Sequence, residues 1–166
     1  MRVSRAVAIW FGVGLMRPAP GTWGSAAALG LGIGLHRIGH FPLLALATIV
    51  VTALGFWAVA RETAGQADKD PSEIVVDEVA GQWLALAFPS AGLWLAGMGA
   101  DQFPWPGWVA AFVLFRLFDI TKPWLVGRAD RRHDAPGVMI DDLWAGLFAG
   151  VATMVLAALW HGFMRF

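Results

Sequence analysis

Two pairs of adjacent acids, Asp77-Glu78 and Asp141-Asp142, stand at the mouths of segments apolar enough to enter a lipid bilayer. Asp119 and Lys122 sit at the end of a third such segment. A charge at the bilayer centre costs roughly 2.5–3.5 kcal/mol even on the lenient insertion scale. A chain that repeatedly puts acids at membrane-helix ends has a use for them, and the pattern points to a membrane enzyme with a cationic cofactor. Composition agrees. Of the 166 residues 58% are hydrophobic and 14% charged, and the mean hydropathy is +0.62. A soluble domain averages about 45–50% apolar and about 25% charged, so much of this surface is expected to face lipid.

A membrane span needs about 20 mostly apolar residues. Segments 22–41, 42–61, 78–98, 106–126 and 138–163 approach or reach that length. Segment 4–16 is apolar but too short. The expected fold is an all-α polytopic helix bundle with four to five spanning helices and a short N-terminal interfacial or re-entrant helix, forming one integral-membrane domain over 1–166. Met1 to Met16 imitates a signal peptide, but Pro18 and Pro20 interrupt it and no small-x-small site follows, so it is expected to be retained. Thr22 or Ser25 is a candidate cap for the helix after the Pro18-Ala19-Pro20-Gly21 break. Trp23, Trp83, Trp105, Trp108, Trp124 and Trp144 fall near segment ends, where interfacial anchoring would place them.

With the N-terminus in the cytoplasm, nine of the twelve Lys and Arg fall on the cytoplasmic side, two on the far side, and Arg116 within a span. This satisfies the positive-inside rule. That rule asks nothing of acids, yet eleven of the twelve crowd the same face and only Asp101 lies opposite. A shared site is the simplest cause. The two sizeable hydrophilic loops, 62–76 and 127–137, fall there too. The zero formal net charge leaves no basic surface for nucleic acid. The absence of Cys excludes disulfides, thiolate metal sites and a phosphocysteine mechanism. His36, His40 and His161 fall on the far side, and His133 reads as a solvated loop residue.

Three clusters carry the chemistry. In the first, Asp68 to Gly81, Glu78 and Gln82 share a helical face, as do Asp77 and Gly81, and Ala80-Gly81 would let a neighbouring helix approach. Acids at a helix start also suit the macrodipole, a purely structural reading. In the second, Arg116, Asp119 and Lys122 are spaced by three, so Asp119 reaches a cation on either side. Pro123 marks the helix end. A structural ion pair with a snorkelling Lys is the plainer alternative. In the third, Asp130 to Asp142, Arg131 and Arg132 suit phosphate or simply a positive-inside loop, and Gly137 permits close backbone approach. Carboxylates without Cys suit a hard cation such as Mg2+, which commonly bridges one or two carboxylates to substrate phosphate. Phosphoryl chemistry at the membrane surface is therefore expected.

These motifs resemble the phosphatidylglycerophosphatase A family of bacterial inner-membrane lipid phosphatases. The resemblance runs from Pro20-Gly21-Thr22-Trp23-Gly24-Ser25, through Asp70, Ile74 to Gly81, Phe115 to Trp124 and Asp130-Arg131, to Gly137-Val138-Met139-Ile140-Asp141-Asp142 with Ala145-Gly146. It implies Mg2+-dependent hydrolysis of phosphatidylglycerophosphate to phosphatidylglycerol and phosphate, at an active site facing the cytoplasm. The chain departs from relatives at 69–73, where Lys69, Pro71, Ser72 and Glu73 replace His and Gly. The expected metal ligands are Asp77, Asp141 and Asp142, with Glu78 beside or among them. Lys122 would neutralise charge on the phosphate, and Asp119 would either orient Lys122 or bind the metal itself. Arg116, Arg131, Thr22 and Ser25 would hold the substrate, and Asp70 is the spare carboxylate for a base or nucleophile. A small ion-binding transporter is the alternative class, but its acids would sit near the midplane. A phosphatase for another phospholipid is the other. The signatures of CDP-alcohol phosphotransferases, acid-phosphatase-type lipid phosphatases and D-x-D-x-T phosphatases are absent.

Overall fold

The computed structural model describes residues 2–132 and 134–163, so His133 and Arg165 lie outside the described residues. Every regular element among those residues is a helix, with no strand. Helix α1 is Val3–Ala8, followed by a 3-10 segment, Trp10–Leu15. Then come α2 (Pro20–Glu62), α3 (Val76–Leu95), α4 (Trp105–Thr121), α5 (Leu125–Asp130) and α6 (Ala135–Phe163).

Segments 22–41 and 42–61 are the two arms of α2. The helix breaks at Gly39 and at His40, whose φ of 58° is left-handed. Pro42 lacks the N–H an unbroken helix needs. Pro20 begins α2, where its missing N–H is no loss. Neither Thr22 nor Ser25 caps this helix, contrary to the sequence expectation. Ser25 lies inside it, and its hydroxyl donates to the Gly21 carbonyl at 2.8 Å.

Helix α4 stops at Thr121 rather than running to 126. Lys122 takes a left-handed φ of 46°, because Pro123 disfavours helical backbone before it. The expected loop 127–137 therefore contains most of α5. Asp134 then caps α6, its Oδ1 accepting the Gly137 N–H at 2.7 Å. Asp134→Ala is expected to lower stability by about 1 kcal/mol, as N-cap losses do, read as a lower thermal midpoint in detergent.

Segment 4–16 does not form one helix. Phe11 and Gly12 have φ of 54° and 104° and separate α1 from the 3-10 segment. Both pieces dock on the acidic end of the bundle. Val75 N–H donates to the Ala8 carbonyl at 2.9 Å, Arg5 pairs with Glu73 at 2.8 Å, and the Ser4 hydroxyl donates to Glu62.

Helix α3 is the central element and packs most extensively against α2 and α6, while α6 also packs on α4. At Gly81 and Gly146 the two backbones touch. A Cβ on Gly146 would collide with the Gly81 carbonyl, and one on Gly81 would lie 2.5 Å from the Asp142 carbonyl. Each glycine stands one turn inside an acid, Gly81 below Asp77 and Gly146 below Asp142. The crossing therefore sets the two acid pairs side by side. Against α2, the Trp83 indole N–H donates to the Ala28 carbonyl at 2.8 Å. Trp83 and Trp108 are buried in the core rather than anchored at an interface, because both face neighbouring helices.

Helices α2 and α6 are long and apolar enough to cross a membrane. Only 33% and 28% of their most apolar stretches are buried, unlike core helices of a soluble domain. On α4, Val109, Val113, Leu117 and Ile120 form an exposed apolar stripe. The far end of the bundle holds His36, whose Nδ1 lies 2.8 Å from the Ser90 hydroxyl, and His40, whose Nε2 meets the Met98 carbonyl at 2.9 Å.

Candidate active site

The acidic end gathers residues from five helices, α2 to α6, and from the loops that follow α2 and α4. Asp77 and Glu78 occupy the first turn of α3, and Asp141 and Asp142 the second turn of α6. Both pairs use the same local device. Asp77 Oδ1 accepts the Glu78 N–H and Asp141 Oδ1 the Asp142 N–H, each at 3.0 Å. That fixes each leading carboxylate and leaves its second oxygen for other work.

Asp77, Glu78 and Asp142 each offer an oxygen, and the three lie within 4.8 Å of one another. Among the described residues this is the one set of acids close enough to share a metal ion. Asp77 and Asp142 are buried, and Glu78 Oε2 is buried without a protein partner. Three carboxylates in a dry space repel one another, and buried charges persist when paired or bound to a metal. An all-oxygen set without sulfur suits a hard cation of the Mg2+ kind.

Asp141, expected in the same set, turns instead toward Lys122. The Lys122 ammonium donates to Asp141 Oδ2 at 3.0 Å and also to Asp130. Burial alone would lower the Lys122 pKa, but hydrogen bonds and charge from Asp130 and Asp141 outweigh it and raise the value, so the ammonium is fixed. The left-handed turn before Pro123 aims Lys122 back over the site. Asp130 was not singled out from the sequence for this role. It lies eight residues beyond Lys122 and reaches it only because α5 folds back.

Arg116 Nη1 donates to Asp119 Oδ2 and to the buried Ser25 hydroxyl at 3.3 Å. Asp119 thus pairs with Arg116 and not with Lys122, its other candidate. Gly21, where α2 begins, leaves room for the Glu78 carboxylate. A Cβ there would strike Glu78 Oε1 and sit 3.5 Å from Arg116 Nη1. The Pro-Gly-Thr-Trp-Gly-Ser stretch therefore meets Glu78 at Gly21 and Arg116 at Ser25, whereas Thr22 is exposed.

Above Asp141 a cleft of about 460 Å³ opens, lined by Asp68, Lys69, Asp70, Asp130, Asp134 and Asp141 with Ala67 and Val138. Asp70 stands at its solvent-open rim. Enclosure by the cleft raises its carboxyl pKa, Lys122 opposes this, and Asp68, Asp130 and Asp119 add to the rise. Arg131 is exposed at the end of α5, with its guanidinium against Gly127. Arg132 pairs with Asp134 at 2.9 Å. Gly137 packs against Asp134, Arg132 and the Ala129 carbonyl. Its close approach serves the start of α6.

Lys122→Met is expected to cut turnover about a hundredfold, the scale seen when one donor to a transition-state oxyanion is removed. Steady-state phosphate release with unchanged protein folding is the check.

Comparison with known proteins bears on this geometry. The family model described as Phosphatidylglycerophosphatase A matches residues 6–157. The chain is 34% identical over 151 residues to a Phosphatidylglycerophosphatase A of Haemophilus influenzae, covering 90% of this chain and 86% of that one. It is 33% identical over 145 residues to a Phosphatidylglycerophosphatase A of Escherichia coli, covering 86% and 77%. It is also 35% identical over 154 residues to a Bacteroides thetaiotaomicron protein named provisionally as a phosphatidylinositol-3-phosphatase, covering 90% and 89%. No solved structure matches.

Proposed function

Because this chain belongs to the phosphatidylglycerophosphatase A family, we propose that it hydrolyses phosphatidylglycerophosphate to phosphatidylglycerol and inorganic phosphate, with Mg2+ held by Asp77, Glu78 and Asp142. The observation that carries this reading is the convergence of those three carboxylates from two helices. The surrounding cleft is too acidic to receive a phosphate monoester without a divalent cation to offset the repulsion.

Mg2+, when bound, polarises a phosphoryl oxygen and favours a water nucleophile. The rest falls to the chain. Lys122, fixed by Asp130 and Asp141, meets the charge that grows on the phosphoryl oxygens. Arg116, oriented by Asp119 and Ser25, binds the phosphate from the opposite wall. Asp70, with its raised pKa, takes the proton of the attacking water. Water adds to phosphorus as its proton passes to Asp70, the bond to the glycerol oxygen breaks, and that oxygen takes up a proton from solvent. Arg131 and Thr22, both exposed near the mouth, are suited to the headgroup rather than to the reacting phosphate.

The same reading takes the two arms of α2 with α3, α4 and α6 as five membrane spans, at the upper end of the expected number. The fold supports it, since these five rods carry the acids at one end and the His36 cluster at the other. Exposed Trp23, Trp57 and Trp124 lie toward the acidic end, and exposed Trp94, Trp105 and Trp160 toward the other. Two such girdles suit the two interfaces of a bilayer. The positive-inside count puts the acidic end in the cytoplasm, with α1 and the 3-10 segment along that interface. A bacterial inner membrane is the location proposed with this reading.

A second reading, hydrolysis of another phospholipid monoester, is favoured by the Bacteroides relative. Initial rates on phosphatidylglycerophosphate, phosphatidylinositol 3-phosphate and phosphatidic acid in mixed micelles separate the two. The fastest turnover is expected with phosphatidylglycerophosphate. A preference for either other lipid would replace the substrate while keeping the reaction.

A further inference from the structure

One turn below the three acids lies a second polar layer. From Gly21 the next turn of α2 brings Ser25, from Glu78 the next turn of α3 brings Gln82, and from Asp119 the preceding turn of α4 brings Arg116. Gln82 is fully buried, and neither its amide oxygen nor its amide nitrogen has a protein partner. Two other buried orphans belong to the same region: Glu78 Oε2 and Arg116 Nε. Glu78 Oε1 and Arg116 Nη1 both flank Gly21. A buried polar group left unpaired destabilises the fold that holds it. Several in one place mark a site whose partners are supplied in another state.

The orphans are chemically complementary. An ionised Glu78 Oε2 only accepts a hydrogen bond, and Arg116 Nε–H only donates. Gln82 offers one acceptor and two donors, and turning its amide about the last side-chain torsion exchanges them. Leu, Lys or Glu at this position would answer at most one of the two orphans.

We infer that Gln82 is a positioning residue that links Arg116 to Glu78, accepting from Arg116 Nε–H and donating to Glu78 Oε2, directly or through one trapped water. It ties the phosphate-binding wall to the cation-binding wall. It keeps Glu78 turned toward Asp77 and Asp142 when a cation is present. This rests on the reading of Asp77, Glu78 and Asp142 as a metal site.

The test is Mn2+ binding to the purified, detergent-solubilised protein, followed by electron paramagnetic resonance, with thermal melting in parallel. Gln82→Met keeps the volume and removes both polar atoms. Outer partners of metal ligands typically contribute 10–100-fold to metal affinity, so the Kd for Mn2+ is expected to rise at least about tenfold. The melting temperature in EDTA should hold or increase, since an unpaired amide leaves the core. Gln82→Asn keeps an amide one methylene short and is expected to fall between. If Gln82→Met does not fold, Gln82→Asn carries the test, with a weaker Kd at unchanged melting temperature supporting the inference. Wild-type affinity in either folded variant overturns it, leaving Gln82 as core filling, while the metal reading stands. Failure of the wild-type protein to bind Mn2+ overturns both.

Discussion

Replacing Asp77 or Asp142 by Asn is expected to lower turnover by about a hundredfold or more while the protein stays folded, because each change deletes charge that a cation needs. Asn matches the shape of Asp and still accepts a hydrogen bond, so the Asp77 contact to the Glu78 N–H survives. What is lost is one of three negative charges held within 4.8 Å. Without a cation those charges repel, so the Asn variants should melt no lower than wild type in EDTA. Added Mg2+ should raise the wild-type melting temperature and leave the variants nearly unmoved, since a ligand stabilises only the state that binds it. Loss of activity with stability retained separates a cation site from a structural acid pair. Wild-type activity in both Asp77→Asn and Asp142→Asn would remove the metal from the mechanism.

The second large effect is expected at Gly146. Its missing Cβ lets α6 lie against α3 at Gly81, and the atom in the way is a backbone carbonyl, which cannot rotate aside. Gly146→Leu must push the two helices apart. Overpacking of this kind costs about 1–3 kcal/mol, and more where backbone has to move. The displacement also moves Asp142 relative to Asp77 and Glu78, so activity is expected to fall further than stability. Gly30→Ala and Gly34→Ala are the controls. Nothing lies within 4 Å of a Cβ at either position, so both should keep full activity and melt at or slightly above wild type. Thermal melts and phosphate release on all four proteins decide it. A fully active Gly146→Leu would mean that the crossing does not set the register of the acids.

Much of this was legible in the sequence because charge in an apolar chain is expensive and therefore informative. The acids at 77–78 and 141–142, the cation at 122 and the helix stop before Pro123 could all be read from residue type and spacing. The two arms of α2 were expected as separate segments, 22–41 and 42–61, and the break falls close to their junction, at Gly39 and His40. Pairings across space were not legible. Nothing in the spacing of 116, 119 and 122 says that Asp119 would choose Arg116, or that Lys122 would find Asp130 and Asp141. Those choices follow from the left-handed turn at Lys122, which carries its side chain off the α4 face that holds Arg116. Asp141 and Asp142 illustrate the same limit. Neighbours on a helix point about 100° apart, so one faces the α3 acids and the other faces Lys122. Which does which depends on how α6 is rotated, and Gly146 against Gly81 sets that. The caps misled for a related reason. Thr22 and Ser25 fit capping statistics, but Pro20 starts the helix earlier and turns Ser25 into a partner for Arg116.

The transporter alternative is set aside by the same geometry. Its acids would line a path near the midplane, open in turn to both sides. Here the acids stand at one end, and Ala85, Leu86, Ala111 and Ala149 pack the middle of the bundle.

The most direct test of the central claim is a Mg2+ titration of phosphate release from phosphatidylglycerophosphate in mixed micelles, by protein first stripped with EDTA. The account predicts no release from the stripped protein and saturable recovery with Mg2+. Release that proceeds undiminished in excess EDTA would contradict it, since Asp77, Glu78 and Asp142 would then act without a cation between them.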